Sequence, residues 1–354
     1  MPRRRTFLMH DCSPRILIVR LSAIGDVVHG LPVLAALRDA LPQAFIAWAI
    51  EERAAELLRG NRALDELVVL QRGWYKSWSR LRNVRRRLRV LRCDTSIDLQ
   101  GLTKSAGVGW LSGARRRIGF AGVDGRELSS WFNTELVTPK RTHIIDRNLE
   151  LLAPLGIENP RVRLGLDVPS SSADTALRIL EARQLRGSFA LINPGAGWPS
   201  KLWPVDRFAK VARYLGESRA MRSVVVWADD GERAWAEEIV EGSGGFAALA
   251  PATSLTDLAA LAQRAAIFIS SDTGPLHIAA AVRTPCVGLF GPMPAERNGP
   301  YGSQHVAIEK LRLSGSSHSR RRAGPESMEA ISVDDVTSAC DAILDRSTLA
   351  RRSA

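Results

Sequence analysis

From Arg15 onward, short apolar runs alternate with amphipathic stretches, and a chain patterned this way folds as parallel strands joined by crossover helices. Strands are expected at 16–21, 44–50, 66–70 and 95–99, with helices at 27–40, 53–59 and 80–91 between them. A polar, Ser-rich break at 166–172 interrupts the pattern, which then repeats. Strands are expected at 189–193, 223–228, 247–249, 267–270 and 285–290, and helices at 206–215, 232–241, 255–264 and 275–282. Ser332 to Asp335 has the form of a capping box for a closing helix at 333–344. With 354 residues the chain suits two α/β domains, each with its own core. The expected division is a basic tail (1–14), a Rossmann-like domain (15–168), a second one with a closing helix (169–345), and a short tail (346–354).

Two strand-to-helix loops carry opposite chemistry. In Ser22-Ala-Ile-Gly25-Asp26-Val-Val-His29 the turn presents a carboxylate; in Asp272-Thr273-Gly274-Pro275-Leu-His277 it presents a hydroxyl, a glycine, a proline and an imidazole. A helix N-terminus offers unpaired N–H groups and the positive end of the helix dipole. One such loop in each half points to two facing domains with a site between them, at the carboxyl ends of the strands.

Composition narrows the partners. A net charge of +12, almost all of it from arginine, favours anions: nucleic acid, acidic membrane surfaces or phosphorylated small molecules. Cys12, Cys93, Cys286 and Cys340 are scattered with no Cys-x-x-Cys pair, which argues against a metal site or disulfide framework and for a reducing compartment. The apolar stretch at 7–9 is too short for a signal peptide, and no run is long enough to span a bilayer.

Several residue groups then carry candidate chemistry. Asp26 would repel a phosphate but can take a proton from a hydroxyl; alternatively it only caps the helix after it. In Asn193-Pro-Gly195-Ala196-Gly197-Trp198-Pro-Ser-Lys201, two glycines allow close approach of a ligand and Lys201 offers a point charge for a phosphate. The alternative is a surface turn with a solvated lysine, and in both cases Pro204 opens a helix. Thr273, Gly274 and the helix N-terminus form a plausible diphosphate cradle, with His277 one turn on. Asp272 is either a cap or a partner for a sugar hydroxyl. Glu232 faces a sugar or is an ordinary first-turn acid. Residues 80–92 place Leu81, Val84, Leu88 and Leu91 on one helical stripe with arginines elsewhere, a face for anionic lipid headgroups or for water. Arg115 to Arg117 and Arg320 to Arg322 read as loop charges, and Trp74 to Trp78 as packing plus a lid.

On these residues the chain resembles the lipopolysaccharide heptosyltransferases, glycosyltransferase family 9. The resemblance runs from about Arg15 to Val336. It rests on six segments in order: Ile18 to His29, Asp98-Leu-Gln100-Gly-Leu-Thr-Lys104-Ser105, Asn193 to Pro204, Ser271 to His277, Gly288-Leu-Phe-Gly291-Pro292, and Ile331 to Val336. It implies a GT-B architecture, two Rossmann-like domains facing across a cleft, with acceptor on the N-terminal domain and nucleotide sugar on the C-terminal one. The implied enzyme is inverting and metal-independent, with no cofactor beyond ADP-heptose or a related nucleotide sugar as co-substrate. Asp26 would be the general base, and Lys201 would neutralise the leaving diphosphate. Gly195, Ala196, Gly197, Glu232, Asp272, Thr273, Gly274 and His277 would hold the donor; Ser22, Gly25, Gln100 and Lys104 fall on the acceptor side. Many relatives carry a cysteine cluster before the last segment, where 311–328 here has none.

The implied partners are a nucleotide sugar, a phosphorylated glycolipid and an anionic inner-leaflet surface, and the implied location is the cytoplasm, peripheral to the inner membrane. Nucleic acid is not an expected partner. The alternatives are a GT-B-like nucleotide-sugar epimerase, which would not need Asp26 as a base toward an acceptor, and a basic nucleic-acid-binding protein.

Overall fold

A computed structural model of the chain describes residues 13–185 and 187–352. Most of the expected N-terminal tail, with Cys12, lies outside the described residues. The order begins β1 (Arg15–Val19), α1 (Ile24–Val28), α2 (Leu31–Ala40), β2 (Phe45–Glu51), α3 (Glu52–Ala55) and β3 (Glu66–Leu70). Then come α4 (Trp78–Val90), β4 (Thr95–Asp98), α5 (Thr103–Ser112), β5 (Arg116–Phe120), α6 (Ser129–Phe132), β6 (Glu135–Val137) and α7 (Ile144–Glu150). The second series is α8 (Ser170–Ala182), β7 (Phe189–Asn193), α9 (Val205–Arg219), β8 (Arg222–Val225), α10 (Asp230–Gly242) and β9 (Ala247–Leu249). It continues through α11 (Leu255–Arg264), β10 (Ile267–Ser271), α12 (Gly274–Ala281), β11 (Cys286–Phe290) and α13 (Ala295–Asn298). It ends with β12 (Val306–Glu309), the short α14 (Ser317–Arg321) and α15 (Glu326–Glu329), and α16 (Val333–Arg352).

The strands form two parallel six-stranded sheets. The first runs β3-β2-β1-β4-β5-β6, and the second, β9-β8-β7-β10-β11-β12, repeats that order. This is the doubly wound Rossmann order, whose direction reverses between β1 and β4 and again between β7 and β10. The chain clusters into two compact units. Unit 1 holds the described residues up to Ser22, with Pro32–Lys140 and Asn148–Arg163; unit 2 holds Ala23–Leu31, Arg141–Arg147 and the described residues from Leu164. Apart from the change near Leu164, close to the expected cut at 168/169, two short segments thus cross into the second unit. One of them carries Gly25, Asp26 and His29.

In unit 1, α4 and α5 lay Val84, Leu88, Val108 and Leu111 over Leu17, Val19, Ala47 and Ala49 of the sheet. Leu81 and Leu91 flank that stripe, so the expected helix face is the one that packs. In unit 2, Trp203 and Phe208 join Val336, Cys340 and Ile343 of α16 on the second sheet. The Trp203 indole satisfies its N–H at the Ile331 carbonyl, 3.0 Å away. Each such fully buried large side chain contributes roughly 2–3 kcal/mol.

Several boundaries differ from expectation. The helix expected at 27–40 is two helices: Gly30 and Pro32 interrupt it, and Pro32 has no N–H to continue the ladder. The break at 166–172 holds the start of α8, whose first turn is Ser170, Ser171 and Ser172. Arg320 and Arg321, expected as loop charges, lie in α14, and Arg322 caps its end. Arg116 and Arg117 lie in β5 rather than a loop, and Arg116 grips Glu135 of β6 through two bonds of 2.7 and 2.9 Å. Pro204 precedes α9 as its cap instead of opening it. The closing helix keeps its capping box, with Ser332 Oγ accepting from Asp335 N and Asp335 Oδ2 from Ser332 N. It runs on to Arg352, beyond the expected end at 344, because Leu, Ala and Arg there are good helix formers.

Candidate active site

At the carboxyl edge of the second sheet, three strand ends deliver polar side chains to one place. Lys201, in the turn after β7, donates to Asp272 Oδ2 at 2.5 Å and to the Asp272 carbonyl at 3.1 Å. Asp272 follows β10 and is buried. Its other carboxylate oxygen, Oδ1, lies 3.3 Å from His277 Nε2 on the first turn of α12. Burial alone would raise the Asp272 pKa, but the Lys201 ammonium and the His277 hydrogen bond outweigh it and hold the group at about 2. Lys201 is therefore not a solvated surface lysine. Its ammonium also sits 4.5 Å from the centre of the Trp198 ring, and the Arg321 guanidinium lies 5.5 Å from the same ring.

The chain of contacts continues into α1. His277 Nδ1 lies 3.1 Å from His29 Nε2, and both rings are buried. The neutral tautomer that satisfies both contacts of His277 puts the proton on Nε2, toward the carboxylate, so that Nδ1 accepts from His29 Nε2–H. Helices α1 and α12 meet at two glycines. A Cβ on Gly25 would sit 2.6 Å from His277 Cδ2, and one on Gly274 would sit 2.8 Å from Ile24 Cγ2. Only hydrogen at those positions lets the helices close. Asp26, the next residue, accepts from Ala23 N at 3.2 Å, so it caps its helix through Oδ2 while staying half-exposed.

A second strand of contacts leads to Glu232. Asn193, the last residue of β7, donates to the Gly195 carbonyl and to Ser270 Oγ, each at 3.0 Å, and so bridges the reversal point of this sheet. Ser270 Oγ is 3.2 Å from Thr273 Oγ1. The Glu232 carboxylate lies against Gly195, where a Cβ would meet Oε1 at 2.1 Å, and its Oε2 accepts from Ala228 N at 2.9 Å. Burial, aided by nearby Asp229, raises its pKa. Ala196 is half-buried next to it, while Gly197 is exposed with open space around its Cα.

Unit 1 has its own polar edge. Gln100 Oε1 accepts from Leu21 N at 2.9 Å and spans the reversal point between β1 and β4. Lys104, on α5, pairs with Glu51 at the end of β2, 3.1 Å away. Ser22 is half-buried at the end of the chain segment leaving β1. Asp98 lies beneath this edge with Oδ1 accepting from Gln100 N and Gly101 N, and burial raises its pKa.

Of the candidates read from the sequence, Gly25, Asp26, Lys201, Asp272, Thr273, Gly274 and His277 fall in unit 2 with Gly195, Ala196, Gly197 and Glu232. Ser22, Gln100 and Lys104 belong to unit 1. Three further residues, His29, Asn193 and Ser270, contribute to the site. His29 follows Asp26 by three residues, and that helical spacing is its only signal in the sequence. Asn193 and Ser270 are polar residues that end apolar strands, a pattern that marks carboxyl-edge ligands in doubly wound sheets. Among the described residues, no cluster of three or more His, Cys, Asp or Glu is arranged to hold a metal ion, and no helix is long and apolar enough to cross a membrane.

Comparison with known proteins agrees with this geometry. The chain is 30% identical over 305 residues to lipopolysaccharide heptosyltransferase 1 of Salmonella typhimurium, covering 83% of this chain and 93% of that one. It is 30% identical over 311 residues to the Pseudomonas aeruginosa protein of the same name, covering 83% of each. A solved glycosyl transferase family 9 structure from Veillonella parvula superposes with a TM-score of 0.83 at 25% identity, over 96% of this chain and 99% of that one. The fold is accordingly GT-B, and glycosyl transfer prevails over the epimerase alternative. Residues 81–326 match the model of glycosyltransferase family 9 (heptosyltransferase), and the chain belongs to that family.

Proposed function

We propose that this enzyme moves heptose from ADP-heptose to a hydroxyl of a lipid-linked lipopolysaccharide-core acceptor, in one inverting, metal-independent displacement. Asp26 takes the proton of the acceptor hydroxyl as its oxygen attacks the anomeric carbon. The bond from that carbon to the diphosphate breaks, and ADP leaves with the electron pair. Lys201 and the N-terminus of α12 meet the charge that builds on the diphosphate. Asp272 holds the Lys201 ammonium in place, and Thr273, Gly274 and His277 line the same helix end. Glu232, resting on Gly195 beside Ala196 and Gly197, binds the nucleoside. Ser22, Gly25, Gln100 and Lys104 serve the acceptor. Peripheral work at an anionic inner-leaflet surface, on the cytoplasmic side, completes the reading.

One observation carries it: the carboxylate and the cation are tied together by an unbroken chain of contacts. Gly25, next to Asp26, touches His277; His277 and Lys201 share Asp272. A proton acceptor and a diphosphate neutraliser thus keep a fixed relation within one compact unit. The test is ADP release by the full chain from a panel of nucleotide sugars, with and without an inner-core glycolipid. Release that needs both ADP-heptose and the glycolipid, and that Asp26→Asn abolishes, supports the reading. A nucleotide sugar converted without acceptor, with Asp26→Asn unimpaired, sinks it.

A further inference from the structure

Among the described residues, the large apolar side chains left exposed lie almost all in unit 1; Leu177 and Leu311 alone fall outside it. Trp131 is 82% exposed, Trp78 77% and Trp110 55%. They stand on one contiguous helical layer. Helices α4 and α5 cover the same face of the first sheet, and Arg89 Nε of α4 donates to the Leu111 carbonyl of α5 at 3.2 Å. Helix α6 packs on α5, with the Trp110 and Phe132 rings edge to face at 6.2 Å.

The same layer is strongly basic. From Arg72 to Arg92 the chain carries nine cationic residues and no acidic one. Arg80, Arg82, Arg85 and Arg86 of α4 are exposed, and none forms an ion pair among the described residues. Glu127 beside the layer is exposed, and its carboxylate accepts from Thr103 N at 3.0 Å at the start of α5. Arginines without carboxylate partners, next to exposed indoles, match the headgroup zone of an acidic bilayer. There a cation meets lipid phosphate, and an amphipathic ring sits between water and acyl chains.

We propose that the outer face of α4, α5 and α6 is a peripheral docking surface for an anionic lipid bilayer. Trp78, Trp110 and Trp131 enter the interface, and the α4 arginines hold the headgroups. The proposal deepens the reading of a lipid-linked acceptor and rests on it for its purpose. Its measurement does not, because vesicle binding needs no turnover.

The full chain is sedimented with phosphatidylcholine vesicles, with and without phosphatidylglycerol, while tryptophan emission is recorded. Binding is expected only with phosphatidylglycerol, with a blue shift, and should weaken with salt. Reversing Arg82, Arg85 and Arg86 to Glu should cost at least about fivefold in partitioning per residue. Trp78→Ser with Trp131→Ser should lose several-fold more and most of the blue shift. Each variant should keep wild-type turnover on a water-soluble, deacylated acceptor. If the assigned reaction is wrong, that soluble assay is dead in the wild type while vesicle binding persists. Failure to bind acidic vesicles, binding indifferent to the tryptophans, or retention by single-stranded RNA in place of vesicles would overturn the docking surface.

Discussion

His29 Nε2 lies 3.1 Å from His277 Nδ1, and through that bond the helix carrying Asp26 is registered against the loop that holds Lys201. Beyond it stands a third ring, His143, 6.3 Å from His29 between centroids, donating through Nε2 to the Gly299 carbonyl at 2.9 Å. Burial lowers the His143 pKa, so this ring is a neutral neighbour. His29 thus acts on the reaction through position. His29→Leu should lower kcat on the order of 100-fold, since a base displaced by about 1 Å loses about that much. The donor KM should stay near normal. His29→Asn keeps an N–H donor for His277 Nδ1 and should recover most of the rate. Equal losses in both variants, matched by equal loss of thermal stability, would reduce His29 to a packing residue.

Lys201→Ala separates stability from catalysis. Breaking a buried ion pair by removing one partner costs about 3–5 kcal/mol, because the remaining charge is stranded. Lys201 has only 13% of its side chain exposed and Asp272 5%, so a substantial fraction of that cost applies. Turnover should fall about 100- to 1000-fold as the leaving diphosphate loses its cation. Adding Asp272→Asn removes the stranded charge and should restore much of the melting temperature but none of the rate. Recovery of both would contradict the assigned role of Lys201.

The layout of this site was partly legible in the chain. Alternating apolar runs mark both sheets, because the central strands β1, β7, β10 and β11 are buried on two faces and read as continuous hydrophobic stretches. Residues 189–193, 247–249 and 255–264 fall where the pattern puts them. Strands β5 and β6 are hidden from the apolar pattern because Arg116, Arg117 and Glu135 make them look polar, although Arg116 is satisfied by Glu135 on the neighbouring strand; β12 is only four residues long and ends on a charge. The loops at Asp26 and Asp272 announced themselves as site-forming turns. The partnership of Asp272 with Lys201 did not, since 71 residues separate them and either one alone reads as an ordinary surface charge.

Acid should expose the same pair. The Asp272 pKa, about 2 when folded, lies below the carboxylate's ordinary 3.8. Its contribution is therefore fully present above about pH 4 and is lost as pH falls through about 2. The shift corresponds to about 2 kcal/mol. Half-buried His305 acts earlier: desolvation pushes it down to about 4, so between pH 6.5 and 4 the unfolded chain takes up a proton that the folded one refuses, and stability falls with pH over that range. Urea unfolding of wild type and Asp272→Asn therefore has to be compared as a difference. That difference should be constant from neutral pH to about pH 4 and shrink below it. A gap that stays constant down to pH 2 would show that Asp272 is not ionised by its neighbours.

Gly195 and Glu232 give the sharpest test of the donor side. The Glu232 carboxylate occupies the space a Cβ at Gly195 would need, with Oε1 2.1 Å from that position. Gly195→Ala must therefore push Glu232 aside, and the Ala228 N–H would lose its 2.9 Å partner. If Glu232 binds the nucleoside, Gly195→Ala and Glu232→Gln should each raise the donor KM, by about 10-fold for one hydrogen bond to a charged group. Both should leave kcat within a few-fold. Because they disable one contact, the double variant should be little worse than either alone, a coupling that independent sites do not display. Additive losses would separate the glycine's role from the carboxylate's. An unchanged KM in Glu232→Gln would make Glu232 a helix-end residue that only satisfies Ala228.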